Sequence, residues 1–223
     1  MSDNTLIIFI KSPDEGAVKT RLAQSIGKKK ATVLYRLFVE AILTRTKDKS
    51  FGRVIFYDPP DKREEIMNWI GDDTELHPQS GNSLGERLSN AFDFVFNRGA
   101  RKAVVIGSDS PTIDANIIRQ AFRELETREF VIGPSRDGGY YLLGMSSFRK
   151  EVFQGIEWST DRVFKETVRV FESLGADFHI LDKGIDVDKR EDITLLKAEL
   201  ERASSRNPIG LSRLSEILAQ LKK

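Results

Sequence analysis

The chain has 223 residues, enough for one large domain, or for a domain with an appendage, around a substantial core. Its 35 basic and 34 acidic residues leave a formal net charge of +1, which gives no reason to expect nucleic acid or an anionic membrane as a partner. The absence of cysteine excludes disulfides, thiolate nucleophiles and cysteine-based zinc sites.

The first element is a short apolar run, TLIIFI, which a charged residue follows at once. This run is too short for a signal peptide, and no other run approaches the length that spans a membrane. We therefore expect a soluble, cytoplasmic protein without membrane insertion.

Short apolar runs rich in Val, Ile, Phe and Tyr alternate with segments of helical period, a pattern typical of an α/β fold. Seven strands are predicted, at residues 5–11, 53–57, 75–78, 102–107, 129–134, 140–145 and 177–181. Because helices separate most of them, most neighbouring strands should be parallel, with helices on both faces of the sheet. Only SRDGG separates the fifth strand from the sixth, so these two, if they pair, should pair antiparallel.

Two of the predicted helices show a clear apolar face. The segment ATVLYRLFVEAIL aligns Val33, Leu34, Leu37, Phe38, Ala41 and Ile42. The segment LGERLSNAFDFVFNRG, which should stop at Gly99, aligns Leu84, Leu88, Ala91, Phe92 and Val95. We expect both faces to be buried against the sheet.

A boundary is predicted at SSRNPIG, residues 204–210. After it, an amphipathic helix places its apolar side chains on one face: Leu211, Leu214, Ile217, Leu218 and Leu221. The expected organisation is a main domain at 1–203 with an appended helix at 204–223. That helix either docks on the main domain or joins two subunits of a homodimer.

Residues with unusual chemistry fall in four loops that follow predicted strands. These are the turn after the first strand, GSDSPT after the fourth, SRDGGY after the fifth and DKGIDVDKRED after the last. Sheets of this type bind ligands at the carboxyl ends of their strands. We therefore expect the four loops to share one edge of the sheet and to form the functional site.

The turn KSPDEGAVKTRLA predicts an anion site. Gly16 would allow close approach of the backbone, and a helix beginning near Val18 would direct N–H groups at the same point. Lys19 and Arg21 would add positive charge, although both could also be ordinary solvated side chains. A P-loop is excluded, because the segment lacks the first glycine and the Gly-Lys pair of that motif.

Carboxylates in two of the loops predict a site for Mg²⁺ or Mn²⁺. Asp109 ends a hydrophobic strand, where its charge needs a cation or hydrogen bonds; the alternative is an N-cap or turn residue. Asp186 and Asp188 share one face if their segment is extended, whereas Asp192 is an acid of the common kind in a first helical turn. One or two carboxylates, completed by water and substrate phosphates, are the usual ligands of these cations.

Consecutive glycines at 138 and 139 indicate either unusual dihedral angles or a ligand close to the backbone. Asp137 beside them is a candidate to bind a sugar hydroxyl or to act as a base, but Asp-Gly-Gly also suits a plain hairpin turn. Trp158 could stack on a sugar or base, or could simply be packed at the entry of a helix.

Six segments follow one another along these elements: FIKSPDEGAVKTRLA, GNSLGERLSNAF, VVIGSDSPT, IGPSRDGGYYLLG, WST and DVDKRED. Together they resemble a bacterial family of glycosyltransferases with the type A nucleotide-diphospho-sugar transferase fold, sometimes associated with arsenosugar biosynthesis. That family is distantly similar to the 2-phospholactate and molybdenum-cofactor guanylyltransferases. The resemblance runs from about residue 6 to about residue 200 and implies a Rossmann-like α/β fold, mostly parallel with one antiparallel strand.

By position, the resemblance implies contacts to a nucleotide. The first turn would contribute Pro13 and Gly16 near the base, and Lys19 and Arg21 on the diphosphate. The segment GNSLGERL would wall the base and ribose, through Gly81, Leu84, Glu86 and Arg87. Each of these roles rests on the family pattern.

The resemblance also implies metal contacts, whereas the acceptor contacts are expected from the residues themselves. Asp109 corresponds to a metal-binding aspartate and Asp188 to the distal ligand, with Asp186 as a further carboxylate. Contacts to the acceptor or sugar would come from Asp137, Gly138, Gly139, Tyr140 and Trp158. The candidate catalytic residues are Asp109, Asp137 and Lys19.

The chain departs from the family pattern at two places. Lys189 and Arg190 follow Asp188 where Thr-Pro is common, and Ser110-Pro111 follows Asp109 in place of a two-carboxylate DxD motif. The second departure makes metal binding depend on Asp186 or Asp188.

The expected function is a Mg²⁺- or Mn²⁺-dependent transferase that takes a nucleotide-activated donor, either a nucleotide-sugar or an NTP, and a small-molecule acceptor. Glycosyl transfer is the first expectation, with charge on the departing diphosphate neutralised by basic side chains and metal. One alternative is a guanylyltransferase-like nucleotidyltransferase that releases pyrophosphate. Another is a non-catalytic nucleotide-binding module.

Overall fold

The computed structural model describes residues 2–71, 74–206 and 209–220. Within these ranges the strands are β1 (Asn4–Lys11), β2 (Gly52–Asp58), β3 (Glu75–Pro78), β4 (Lys102–Ile106), β5 (Phe130–Pro134), β6 (Tyr140–Met145) and β7 (Phe178–Ile180). Every predicted strand is present, and each of its ends lies within one residue of the prediction. The alternation of apolar runs with helical segments was therefore a sufficient signal for the strands.

The helices of the described residues follow the expected alternation. They are α1 (Thr20–Ile26), α2 (Lys28–Arg45), α3 (Arg63–Ile70), α4 (Leu84–Asn97), α5 (Ala115–Glu124), α6 (Val163–Ser173), α7 (Arg190–Arg206) and α8 (Ser212–Gln220), with short 3₁₀ helices at Pro60–Lys62 and Lys150–Phe153. None of these helices is long and apolar enough to cross a membrane.

The seven strands form one sheet in the order β3-β2-β1-β4-β6-β5-β7. Strand β6 runs antiparallel to both of its neighbours, β4 and β5, and the other pairs are parallel. The predicted antiparallel pairing across SRDGG is thus confirmed. Because all the other strands point the same way, the loops after β1, β4, β5 and β7 emerge at one edge of the sheet, as expected.

Side chains of β1 alternate between two apolar layers because successive residues of a strand face opposite ways. Leu6, Ile8 and Ile10 pack with α2, α3 and α5 on one face. Ile7 and Phe9 pack with α4 and α6 on the other. The predicted mostly parallel sheet with helices on both faces is confirmed.

Two predictions of buried side chains were wrong. Val33 is 38% exposed at the margin of the apolar face of α2. Most of the rest of that face is buried, but against α1, α7 and α8 and not against the sheet; of the predicted residues only Ile42 packs with the strands. Leu84 is 45% exposed, because it begins α4 beyond the edge of the sheet.

The first helix also starts later than expected, at Thr20 instead of near Val18. Lys19 precedes it in a left-handed conformation, with φ 49° and ψ 44°, which interrupts any helical continuation from the turn. At the other end of the chain, α7 continues to Arg206 through the predicted boundary at 204.

Helix α8 docks on the body of its own chain. Leu211, Leu214 and Leu218 are buried in a third apolar cluster with residues of α1, α2 and α7, and Ile217 is partly buried against it. Leu221, which the sequence places on the same face, lies outside the described residues. The division into a domain at 1–203 and an appended helix at 204–223 stays a prediction.

Candidate functional site

A cleft of about 600 Å³ opens at the carboxyl edge of the sheet, where β1 and β4 end and α4 begins. The predicted site residues that line it are Lys19, Leu84, Arg87, Asp109, Tyr140, Asp186 and Asp188. Among the described residues, those predicted for the site but absent from the lining are Pro13, Gly16, Arg21, Gly81, Glu86, Asp137, Gly138, Gly139 and Trp158. Three of the four loops therefore meet in the cleft, whereas the connection from β5 reaches it only at Tyr140.

Lys19 connects three segments that are distant in the sequence. Its ammonium nitrogen lies 2.5 Å from Oδ1 of Asp109, after β4, and donates to the carbonyl of Val187, after β7, at 2.7 Å. The N–H of Val187 in turn donates to the carbonyl of Asp109 at 3.0 Å. The three segments are thus linked through both backbone and side chains at the mouth of the cleft.

Asp186 is partly buried in the same wall and accepts a short hydrogen bond from the hydroxyl of Ser110. Burial, followed by the negative charge of Asp109, raises the pKa of Asp186 to about 7. The carboxylate of Asp137 also raises this pKa, while the hydrogen bond from Ser110 and the charge of Lys19 lower it. The carboxylates around Asp186 therefore carry more negative charge than the ammonium of Lys19 compensates.

Asp188 follows in the same loop, but its carboxylate accepts a hydrogen bond from Arg21 at 2.7 Å. Asp192 accepts from the N–H groups of Asp188 and Lys189, at 2.9 and 2.7 Å, and so satisfies backbone donors at the start of α7. This agrees with the helix-start interpretation of Asp192. The N-cap of α5 is Asp114, so the alternative that Asp109 is an N-cap is wrong.

The chemistry of this corner fits a divalent cation that shares its ligands with substrate. Asp109 has 47% of its side chain exposed toward solvent, and Asp186 lies close enough for the two charges to interact. Among the described residues, no three His, Cys, Asp or Glu side chains stand together as a complete metal site. Two carboxylates, with phosphate and water in the other positions, match the coordination habits of Mg²⁺ and Mn²⁺.

Tyr35 of α2 ties the ends of β1 and β4 together beneath the cleft. Its hydroxyl accepts from the N–H of Lys11 at 2.6 Å and from the hydroxyl of Ser108 at 3.2 Å, and burial raises its pKa above the usual value. Gln79, after β3, donates through its amide to the carbonyls of Ile10 and Phe56, each at 3.1 Å. These hydrogen bonds satisfy strand ends that would otherwise be unpaired.

Sequence reasoning missed Tyr35, Gln79 and Ser108, as well as Lys11 as a residue lining the cleft. Lys11 is the last residue of β1, and its position before the anion turn was the one available signal. Tyr35 and Gln79 gave none, because each acts through contacts to strands that are remote in the sequence.

The start of α4 is built by its own polar residues. Ser83 accepts from the N–H of Glu86 at 3.1 Å, and the carboxylate of Glu86 accepts from the N–H of Asn82 at 2.7 Å. Arg87 donates to the carbonyl of Gly81 at 3.1 Å and pairs with Asp58 at 3.1 Å. Glu86 and Gly81 therefore shape the wall of the cleft without lining it.

Trp158 packs on Gly85, in the first turn of α4. A Cβ at Gly85 would collide with the indole nitrogen of Trp158, so this glycine permits the contact. Tyr140 meets the ring of Trp158 edge-on, with centroids 6.5 Å apart. The packed interpretation of Trp158 agrees with this arrangement, and Tyr140 carries the aromatic surface to the cleft.

The SRDGG turn is closed by Asp137, which accepts from the hydroxyl of Ser135 and from the N–H of Gly139 at 3.1 Å. Gly138 has φ +93°, and a Cβ there would collide with the backbone of Asp161. The N–H of Phe164 donates to the carbonyl of Gly138 at 2.9 Å. The paired glycines are thus explained by a tight turn packed against the start of α6.

The turn that contains Pro13 and Gly16 lies beside the cleft. Gly16 has φ +84°, and the side chain of Lys28 passes over it, 3.2 Å from where a Cβ would be. The residues after this turn that line the cleft are Ala17, Val18, Lys19 and Thr20.

The mostly parallel sheet, its single antiparallel strand and the cleft at its carboxyl edge define a protein of the Rossmann-like α/β fold class. Within that class, the chain belongs to the DUF2064 family, described as "Uncharacterized protein conserved in bacteria", whose sequence profile matches residues 42–160. None of the curated proteins matches the chain.

Three solved structures are similar to the chain, the last two in fold alone. A "putative nucleotide-diphospho-sugar transferase" from Desulfovibrio desulfuricans G20 is 32% identical, with a TM-score of 0.91 over 99% of this chain and 98% of that chain. The 4-diphosphocytidyl-2C-methyl-D-erythritol synthase from Anaerococcus prevotii DSM 20548 is 11% identical, with a TM-score of 0.57 over 89% and 96%. Rv0371C from Mycobacterium tuberculosis H37Rv, in complex with manganese, is 13% identical, with a TM-score of 0.50 over 86% and 97%. The predicted fold class is thereby confirmed.

Proposed function

We propose that this protein is a transferase that binds a nucleotide-activated donor together with Mg²⁺ or Mn²⁺ and passes a glycosyl group to a small acceptor. The observation that carries the proposal is the convergence of Lys19, Asp109 and Asp186 at one mouth of a cleft of about 600 Å³. A cleft of this volume is of the size that accommodates a nucleotide-sized ligand. The similarity to the Desulfovibrio desulfuricans protein supports the nucleotide-sugar donor.

The nucleotide is proposed to lie across the end of β1. Leu84 offers an exposed apolar surface on the opposite wall, and Arg87, which pairs with Asp58, fixes that wall. The diphosphate would then face the turn from Ala17 to Thr20, which lines the cleft. Pro13, Gly16 and Arg21 would support this turn from outside the cleft lining.

The cation is proposed to bind Asp109 and Asp186, with Asp188 as a further ligand if Arg21 releases it. A cation there would neutralise negative charge on the departing diphosphate. Rv0371C, which shares the fold, is known in complex with manganese, which supports the choice of cation. Asp109 would hold the cation on the side of the phosphates, and Asp186 would approach it from the β7 loop.

The acceptor is proposed to enter beside Tyr140, which lines the cleft and packs edge-on against Trp158 behind it. Asp137, with Gly138 and Gly139, forms the turn behind this entrance and lies close enough to Asp186 to affect its pKa. Asp137 thus remains a candidate to orient the acceptor, through a rearrangement of its turn.

Nucleotidyl transfer, with release of pyrophosphate, is the second candidate. It is favoured by the shared fold of the Anaerococcus prevotii synthase, whose name describes a diphosphocytidyl product. In both candidates the cleft receives a nucleotide and a cation. In glycosyl transfer the acceptor attacks the sugar carbon of a nucleotide-sugar and a nucleoside diphosphate leaves, whereas in nucleotidyl transfer the acceptor attacks the α-phosphorus of an NTP and pyrophosphate leaves.

The test measures binding first and products second. Wild type, Asp109→Asn and the control Asp182→Asn are titrated calorimetrically with nucleoside diphosphates, triphosphates and nucleotide-sugars, with Mn²⁺ or with EDTA. Asp182 is an exposed aspartate of the β7 loop outside the cleft lining, so its variant should behave as wild type. We expect Mn²⁺ to strengthen nucleotide binding at least tenfold in wild type and the control, but not in Asp109→Asn.

Product analysis then separates the two reactions. Free nucleoside diphosphate identifies glycosyl transfer, and pyrophosphate identifies nucleotidyl transfer. Binding without metal dependence and without turnover across all donors would identify a nucleotide-binding module and would contradict the transferase proposal.

A further inference from the structure

Lys19 occupies a position at which the sequence pattern predicts a residue that binds phosphate. We propose instead that Lys19 is a positioning residue: it presents the carboxylate of Asp109 to the divalent cation and does not itself bind the phosphates. This inference rests on the proposed function, since it assigns roles within the same nucleotide and metal site.

The ammonium of Lys19 is already satisfied inside the protein. Its side chain is 2% exposed, and its nitrogen contacts Oδ1 of Asp109 and the carbonyl of Val187. An ammonium has three donors, and the ring of Phe38, 5.5 Å away, covers a further side of it. A phosphate could reach this nitrogen only by displacing the carboxylate of Asp109 or the buried carbonyl of Val187, and so by breaking a contact that the ammonium already makes.

The backbone at Lys19 supports the same interpretation. A left-handed conformation is uncommon for a residue with a side chain, and it persists where surrounding contacts over-determine it. At Lys19 this conformation directs a long side chain into the protein, toward Asp109 and Val187. The contact to Asp109 is thus built into the path of the chain, before any ligand arrives.

As a result, Asp109 is held in place by two contacts. Lys19 binds Oδ1, and the N–H of Val187 holds the carbonyl of the same residue at 3.0 Å. The side chain of Asp109 is nevertheless 47% exposed, so it can present its other oxygen to the cleft. A ligand fixed in this way loses less conformational freedom when it binds a cation.

Lys11 is better placed to meet the phosphates. It lines the cleft and is exposed, and its ammonium makes no ion pair within residues 2–71, 74–206 and 209–220. Removing Lys11 should therefore affect phosphate binding itself, and removing Lys19 should affect only the contribution of the metal. The two lysines form a matched pair for a test.

The experiment compares wild type, Lys19→Met and Lys11→Met in their affinity for the tightest-binding of ADP, CDP, GDP and UDP, with EDTA and with Mn²⁺. In EDTA, Lys19→Met should stay within about threefold of wild type, and Lys11→Met should lose about tenfold. With Mn²⁺, Lys11→Met should keep the metal-dependent gain in affinity, and Lys19→Met should lose most of it. Mn²⁺ binding is followed independently by electron paramagnetic resonance.

A double-mutant cycle tests whether Lys19 acts through Asp109. Asp109→Asn should remove the metal-dependent gain, and adding Lys19→Met should remove nothing more. Lys19→Gln, which keeps a hydrogen-bond donor without the charge, replaces Lys19→Met if circular dichroism shows that the latter is unfolded.

A loss of tenfold or more by Lys19→Met in EDTA would show that Lys19 binds phosphate directly and would overturn the inference alone. A full metal-dependent gain in Lys19→Met would also overturn it. If wild type binds no nucleoside diphosphate in either condition, the proposed function fails and the inference falls with it.

Discussion

Asp186 holds its proton to a higher pH than an ordinary aspartate because burial and the charge of Asp109 disfavour its ionised form. Its pKa is about 7 in the folded protein, against the usual value of about 4 in an unfolded chain. Between these two values the folded state binds more protons than the unfolded state. Stability therefore falls as the pH rises from about 4 to about 7, and the loss is complete above that range.

Asp186→Asn should remove this penalty. We expect the variant, without metal, to gain stability over wild type between pH 5 and pH 8 by about 1–2 kcal/mol, a discounted value because the side chain is only partly buried. Urea unfolding at several pH values measures the difference. The control Asp182→Asn, at an exposed position, keeps Asp186 and should show the same pH dependence of stability as wild type. A pH-independent difference between Asp186→Asn and wild type would contradict the argument.

Sequence reasoning at the residue scale succeeded where a side chain acts near its own strand end. Asp109 and Asp186 were expected at one edge because each lies in a loop that follows a predicted strand, and both line the cleft. The partners of Lys19 could not be predicted, because Val187 is 168 positions away and the contact depends on a left-handed backbone at Lys19 itself.

Helix α4 illustrates how an element is fixed by its first turn. Ser83 and Glu86 satisfy N–H groups there, and Gly85 leaves room for the indole of Trp158. Glycine in a helix ordinarily costs about 1 kcal/mol relative to alanine. Its presence here is consistent with the close packing of Trp158.

Gly85→Ala should therefore destabilise the protein although it raises helix propensity. We expect a net loss of about 1–2 kcal/mol, because the new methyl group must displace Trp158. Urea unfolding gives the stability, and tryptophan fluorescence reports the displaced indole. Gly107→Ala is the control, because a Cβ at Gly107 would have no heavy atom within 4 Å, and it should be neutral or slightly stabilising. Equal effects of the two substitutions would refute the packing argument.

Elements were predicted well because their signal is local. Short apolar runs predict strands, and segments of strong helical period predict helices, from the residues of the segment itself. The burial of Leu84 was predicted wrongly because helical periodicity identifies the residues that share one face of a helix. It does not show where the sheet beneath that face ends. The late start of α1 has the same kind of cause, since the tertiary contacts of Lys19 override the local pattern.

At the scale of the whole molecule, α8 covers the outer face of α2. Leu214 is buried with Leu34 and Leu37, while Ile185 and Val187 of the β7 loop belong to the same cluster. The sequence left open whether this helix docks or joins subunits, because both arrangements bury the same apolar face. The same cluster also supports the loop that carries Asp186 from behind.

Leu214→Ala should accordingly cost about 2–3 kcal/mol, because it leaves a cavity in this cluster and weakens the docking of α8. The matched control is Leu195→Ala in α7, whose side chain is 36% exposed and should cost less than about 1 kcal/mol. Urea unfolding compares the two. Equal costs would contradict the docking of α8, and a change in oligomeric state by light scattering would show instead that α8 joins subunits.

The contacts that join Lys19, Asp109 and Val187 have a consequence for biosynthesis. The ribosome adds about 5–20 residues each second, so the 168 positions from Lys19 to Val187 take on the order of ten seconds to synthesise. During that interval a nascent chain can display the first turn and β4, but not the loop that closes the cleft. The cleft that we propose for a nucleotide therefore cannot be complete in a nascent chain until its β7 loop has left the ribosome, whatever the concentration of that nucleotide.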